Sequence, residues 1–157
     1  MQRSLRALFN KITLSQAESV SDKNVDGTPA AMKQTSSVSY KASFYEIFNE
    51  KVYDLLTNDS LEKDLKVREN FNSVYVEGLK EVKVHNTIEA EEVLYQGMAN
   101  RHVSATNMNR TSSRSHAVFV LTVKTSTESS SGVKKVSTSK FTLVDLAGSE
   151  RQKSTGM

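Results

Sequence analysis

Phe141-Thr142-Leu143-Val144-Asp145-Leu146-Ala147-Gly148-Ser149-Glu150 is the stretch whose reading decides the fold. An apolar strand runs out into an Asp, and a Gly follows three residues on, the arrangement by which open α/β sheets place chemistry at strand carboxyl ends. An Asp at that point can hold a Mg²⁺ ion, directly or through water. The Gly leaves a backbone N–H free to meet a phosphate oxygen, because a chain without a Cβ can turn sharply and approach closely. Upstream lies a second polar run, Asn109-Arg110-Thr111-Ser112-Ser113-Arg114-Ser115-His116. Its hydroxyls suit the same ion and phosphate, and Arg114 and Glu150 carry opposite charges able to latch the two segments together. The pair reads as two halves of one phosphate sensor.

The order N-x-x-S-S-R-S-H followed by D-L-A-G-S-E resembles the switch I and switch II pair of the kinesin motor domain. Asn109, Ser112, Ser113, Arg114, Ser115 and His116 match the first, and the unbroken run 145–150 matches the second. Both motifs in this order and at this separation are highly specific. The resemblance runs from about Val38 to the end and includes Ser43-Phe44-Tyr45-Glu46-Ile47-Phe48-Asn49-Glu50-Lys51-Val52-Tyr53-Asp54-Leu55-Leu56. Arg6-Ala7-Leu8-Phe9-Asn10 is similar to the end of the helix that follows the kinesin P-loop.

The resemblance implies an α/β fold, a partial kinesin-type P-loop NTPase motor fold with a mixed, mainly parallel central sheet flanked by helices and incomplete at both ends. Residues 1–157 would form one partial motor domain, with a flexible surface loop over 13–37 and the strands, helix and switch regions over 38–157. It also implies roles. Ser113 would coordinate Mg²⁺, Ser112 would lie near the γ-phosphate and the attacking water, and Asn109 would touch the phosphates. Asp145 would hold Mg²⁺ through its water shell, the Gly148 N–H would sense the γ-phosphate, and Arg114 and Glu150 would form the inter-switch salt bridge. Arg68, Lys80, Lys83, Arg151 and Lys153 fall in regions similar to filament-facing parts of the motor, where a solvated charged face is the plain alternative. The implied cofactors are ATP and Mg²⁺, and the implied partner is the microtubule. Any dimerisation would run through regions outside this chain. The setting implied is the cytoplasm and cytoskeleton, and the spindle by the similarity of 107–110 and 149–153 to N-terminal-motor spindle kinesins.

Bulk properties agree without adding much. The 157 residues carry 21 basic and 18 acidic side chains, a mildly basic balance that suits an acidic filament but does not demand one. Nothing marks a nucleic-acid binder. With no cysteine, disulfide frameworks and thiolate zinc sites are excluded. No apolar run approaches the roughly 18 residues of a membrane span, so a soluble intracellular protein is expected.

Along the chain, Leu5, Leu8, Phe9 and Ile12 fall at helical spacing, which predicts a short helix end over 2–12. Residues 38–48 are β-branched and aromatic and predict a strand, and Val52, Leu55 and Leu56 predict one helical turn after it. Residues 66–68, 73–76 and 80–84 alternate charged and apolar positions and predict an antiparallel excursion from the main sheet. Thr87, or Asn86 with Glu89, can cap a helix whose apolar stripe is Ala90, Val93, Leu94, Gly97 and Met98. Residues 117–123 predict a strand covered by helices on both faces, joined by a hairpin-like loop over 125–132 to a strand over 136–144.

The departure from the family is that no G-x-x-x-x-G-K-[ST] occurs, so the loop that cradles the α- and β-phosphates is absent. The size predicts a fragment, and a sheet without that strand is expected to be marginally stable or aggregation-prone alone. Two readings therefore compete: the middle of an ATP-hydrolysing microtubule motor, and a P-loop-less kinesin derivative that binds microtubules or a partner without hydrolysis. A small GTPase is disfavoured, because no Asn-Lys-x-Asp occurs. A serine hydrolase at Ser115-His116 is disfavoured because neighbours on a strand point to opposite faces.

Overall fold

The computed structural model describes residues 1–20, 35–57, 63–71, 73–108, 114–129 and 132–148. The chain order is α1 (Gln2–Val20), β1 (Thr35–Phe48), β2 (Lys51–Asp54), β3 (Val67–Asn70), β4 (Ser73–Val76), β5 (Val82–Val84), α2 (Thr87–Met108), β6 (His116–Glu128) and β7 (Lys134–Asp145). A five-stranded sheet has the order β2-β1-β6-β7, with β5 also pairing with β1, and β3 and β4 form a separate two-stranded sheet.

The mixed helix-and-sheet architecture agrees with expectation, but the strand directions differ from a mainly parallel sheet. Every pairing among the described residues is antiparallel. The reason is local in two cases. β1 and β2 are joined through Asn49 and Glu50, both at positive φ (49° and 63°), which is the two-residue hairpin turn that matches strand twist. β6 and β7 are joined at residues 129–133, where Gly132 takes φ 76° and its N–H donates to the Ser129 carbonyl at 2.9 Å. Residues this close in sequence cannot accommodate a parallel crossover.

Alternation along the strands sets the core. Ala42 and Phe44 of β1, Ala117, Phe119 and Leu121 of β6, and Phe141 and Leu143 of β7 share the face on which α1 and α2 pack. Cross-strand register makes rows of them: Phe44 lies opposite Phe119, and Phe119 opposite Leu143. The Phe44 and Phe119 rings meet edge to face with centroids 5.7 Å apart, a favoured aromatic geometry. Helix α1 contributes Leu5 and Phe9, and Phe9 stacks obliquely on Tyr40 at 5.2 Å.

Helix α2 starts where the sequence places it. Asn86 Oδ1 accepts the Glu89 N–H at 2.9 Å and Asn86 Nδ2 donates back to Glu89 Oε1 at 3.0 Å, a reciprocal cap of otherwise orphaned groups. Ala90, Val93, Leu94 and Gly97 are buried as expected, whereas Met98 is 42% exposed at the margin of the stripe.

Several boundaries differ. Helix α1 runs to Val20 and β1 begins at Thr35, so the loop expected over 13–37 is corrected at both ends, and 21–34 lie outside the described residues. The turn expected over 51–56 is instead strand β2 at its start, because the hairpin turn folds Lys51–Asp54 back onto β1. Only β3 and β4 form the excursion; β5 joins the main sheet, with Ala42 opposite Val82. The second face of β6 is not covered by a helix among the described residues. There the β3–β4 ribbon leans over Tyr45, Ile47, Val120 and Thr142, leaving a groove of about 600 Å³.

The helices are latched by charge. Arg6 pairs with Glu91 through both carboxylate oxygens, with Nη2 to Oε2 at 2.9 Å. This hydrogen bond, and then the charge of Arg6, holds the Glu91 carboxyl below its ordinary value. His85 does the same for Glu89. Because both folded-state values are depressed, the stabilisation is present above the unfolded Glu value of about 4.3 and is lost as pH falls through the folded values. Denaturant midpoints recorded against pH are expected to fall on the acid side of that value, and Glu91→Gln is expected to flatten the fall.

Candidate functional site

The inward alternation of three strands predicts apolar residues at one further row, and polar residues stand there instead. Two positions beyond Phe44 is Glu46, two beyond Leu143 is Asp145, and two before Ala117 is Ser115. Register aligns Glu46 with Ala117 and Ala117 with Asp145, so the two carboxylates flank β6 at one end of the sheet. β1 and β7 both run toward this end, so it is a carboxyl end for both, as expected for Asp145.

Over this row lies Arg101 of α2, four residues beyond Gly97 on the same helical face. Its Nη1 donates to Asp145 Oδ2 at 2.8 Å, its Nη2 to the Ser115 carbonyl at 2.9 Å and to Ser115 Oγ at 3.3 Å, and its Nε is 3.4 Å from Glu46 Oε1. Ser115 Oγ in turn donates to Glu46 Oε1 at 2.5 Å. Arg101 and Glu46 side chains are 6% and 1% exposed, whereas that of Asp145 is 53% exposed. The cluster is therefore a buried ionic anchor whose outer member meets solvent. Burying such charges costs several kcal/mol per ion unless geometry and hydrogen bonds compensate, which a guanidinium with fixed donors does well.

Beside Asp145 a cavity of about 390 Å³ is lined by Met1, Gln2, Leu94, Tyr95, Met98 and Val144. Met1 and Gln2 come from the first turn of α1.

The expected loop after β7 is held by a contact that the sequence reading missed. The Ala147 N–H donates to His116 Nδ1 at 3.0 Å, which ties the start of β6 to the residue before Gly148. That nitrogen accepts only when unprotonated. Gly148 itself is exposed.

Of the other expected site residues, Arg114 is exposed two residues before the start of β6. Asn109, Ser112, Ser113, Glu150, Arg151 and Lys153 lie outside the described residues. Arg68 is exposed on β3 and paired with Glu77 at 2.9 Å. Lys83 is exposed on β5. Lys80 has a structural tie, since its Nζ donates to the Leu56 carbonyl at 2.9 Å while its N–H donates to the buried Asp54 at 2.7 Å.

Asp145 fits a Mg²⁺ ion held through water. Such an ion takes one or two carboxylates and keeps several waters, so it needs no dense ligand cluster. Among the described residues no group of three or more His, Cys, Asp or Glu side chains could hold a metal. No helix among them is long and apolar enough to cross a membrane.

The family model described as "Kinesin motor domain" matches residues 1–157. Kinesin-like protein KIN-12G of Oryza sativa subsp. japonica is 50% identical over 117 residues, which cover 74% of this chain and 9% of that relative. Kinesin-like protein KIF15 of Strongylocentrotus purpuratus is 52% identical over 116 residues, and that of Homo sapiens 51% over 116, each match covering 73% of this chain and 8% of the relative. The chain thus spans under a tenth of these relatives' length. A solved structure, described as a fast kinesin with implications for ATPase mechanism and interactions with microtubules, aligns with a TM-score of 0.72. It is 34% identical and covers 100% of this chain and 38% of that one.

Proposed function

The chain belongs to the kinesin motor-domain family, and from that premise we propose that it is the switch-bearing part of a microtubule motor that couples ATP hydrolysis to movement. The observation that carries the reading is the half-exposed Asp145 at the carboxyl end of β7, beside a cavity and followed by a segment tied to the start of β6 through Ala147 and His116. Bound Mg²⁺–ATP supplies the transferable phosphoryl group and neutralises its developing charge. The chain's own residues position it. Ser113 would coordinate the ion and Asp145 would hold it through its water shell, Asn109 and Ser112 would contact the phosphates, and the Gly148 N–H would sense the γ-phosphate. Arg114 and Glu150 would latch the two segments while that phosphate is bound and would part when it leaves. This release would alter affinity for the filament, toward which Arg68, Lys80, Lys83, Arg151 and Lys153 are the candidate cations. Cytoplasmic microtubules, including those of the spindle, are the proposed setting.

A second reading is a kinesin-derived fragment that binds microtubules or a partner without hydrolysis. The two separate by experiment. An antibody against residues 38–124 is expected to detect a native product much larger than 17.5 kDa. That product, once purified, is expected to hydrolyse ATP faster with microtubules present. Gly148→Ala in it is expected to lower kcat about 10²-fold, since an added Cβ shifts the sensing N–H by the kind of small displacement that catalysis does not tolerate. A single band near 17.5 kDa without ATPase activity would select the binding reading.

A further inference from the structure

We propose that Glu46 is a positioning residue for the metal-bearing carboxylate Asp145 and acts through the guanidinium of Arg101, an inference that rests on the motor reading above. Glu46 lies on β1, distant in sequence from both switch segments, and its side chain is 1% exposed on a face that otherwise holds Ala42 and Phe44. An apolar residue there would satisfy the fold more cheaply, because replacing buried ion pairs by well-packed apolar groups is often neutral or stabilising. The carboxylate has a geometric use instead. Arg101 is held from three sides, by Glu46 at Nε, by Ser115 at Nη2 and by Asp145 at Nη1, and these contacts fix the plane of its guanidinium. Asp145 is more than half exposed and its Oδ2 receives Arg101 Nη1, so that plane bears on where its Oδ2 sits.

The charges make the same point. One guanidinium stands between two carboxylates, leaving the cluster with a net negative charge that an incoming cation can use. Without the charge on Glu46, more of the Arg101 charge would be directed at Asp145, which would then hold the ion less well. Glu46 Oε2 is also buried with no hydrogen-bond partner among the described residues, so the site retains acceptor capacity at its inner end. Ser115 joins this device to the end of the first switch segment, since its hydroxyl bridges to Glu46 at 2.5 Å while its carbonyl receives Arg101.

The test uses the native protein with Glu46→Gln and, separately, Ser115→Ala. The readout is the Mg²⁺ concentration at which a fluorescent ADP analogue is half-maximally retained. Glu46→Gln is expected to raise that concentration about 10–100-fold, as loss of an outer partner of a metal ligand does, and Ser115→Ala to raise it by a smaller factor. A ligand-free readout accompanies it: exchange of the Arg101 Nε–H, followed by NMR in the full chain, is expected to accelerate in Glu46→Gln. A variant that melts earlier but keeps the wild-type Mg²⁺ midpoint and exchange rate overturns the inference and leaves the motor reading intact. If Glu46→Gln is insoluble, an unchanged midpoint in Ser115→Ala overturns it equally. A wild-type protein that retains nucleotide no better with Mg²⁺ than without overturns the motor reading and this inference with it.

Discussion

Arg101→Leu is expected to destabilise the fold by about 3–5 kcal/mol, the usual cost of removing one partner from a buried pair and leaving the other charged. Glu46 is the group left behind. At 1% side-chain exposure it cannot recruit bulk water, and one of its oxygens already lacks a partner among the described residues. Asp145, at 53%, can be rehydrated and contributes little to the loss. The asymmetry gives a second expectation. Glu46→Leu in the Arg101→Leu background is expected to restore much of the lost stability, because the orphaned charge is then gone and apolar packing replaces it. Denaturant midpoints at constant m-value measure both. If the double variant is as unstable as the sum of the singles, the two side chains are not coupled and the anchor has been misread.

The family and the start of α2 were legible because their signals are local. The two runs that resemble the kinesin switches are contiguous in sequence, and Asn86 with Glu89 forms its cap within a single turn. What was hidden depended on tertiary choice. Val52, Leu55 and Leu56 have helical spacing, yet the positive-φ turn at Asn49 and Glu50 commits Lys51–Asp54 to pairing with β1. Residues 13–20 looked like loop because of their Ser and Thr, while Leu14, Gln16, Ala17 and Glu18 are good helix formers that continue α1. The mainly parallel sheet was inferred from the family rather than from the connections, and the two short hairpin links exclude it for the strands they join. The Arg101 cluster was readable in principle. A charge in the inward register of a strand, at Glu46, and another on an apolar helical stripe, at Arg101, each demand a partner, and each is the other's.

The same stripe supports an expectation whose sign depends on the background. Gly97 sits in the interior of α2, where propensity alone predicts that alanine would be stabilising by about 1 kcal/mol. Packing predicts the reverse. A Cβ at Gly97 would stand 2.1 Å from Phe44 Cδ1 and 2.8 Å from Cε1, and neither ring atom is the loose end of a flexible side chain. Phe44 is 0% exposed and braced edge-on by Phe119, so relief requires moving the ring or the helix. Overpacking of this kind costs about 1–3 kcal/mol and outweighs propensity, so Gly97→Ala is expected to destabilise the protein. Phe44→Ala alone is expected to cost about 3–5 kcal/mol through the cavity it leaves. In that background the steric objection vanishes, and Gly97→Ala is expected to become stabilising by about 0.5–1 kcal/mol. Urea midpoints of the four proteins decide it. If Gly97→Ala has the same sign with and without the Phe44 ring, the approach of α2 to β1 is not governed by that contact.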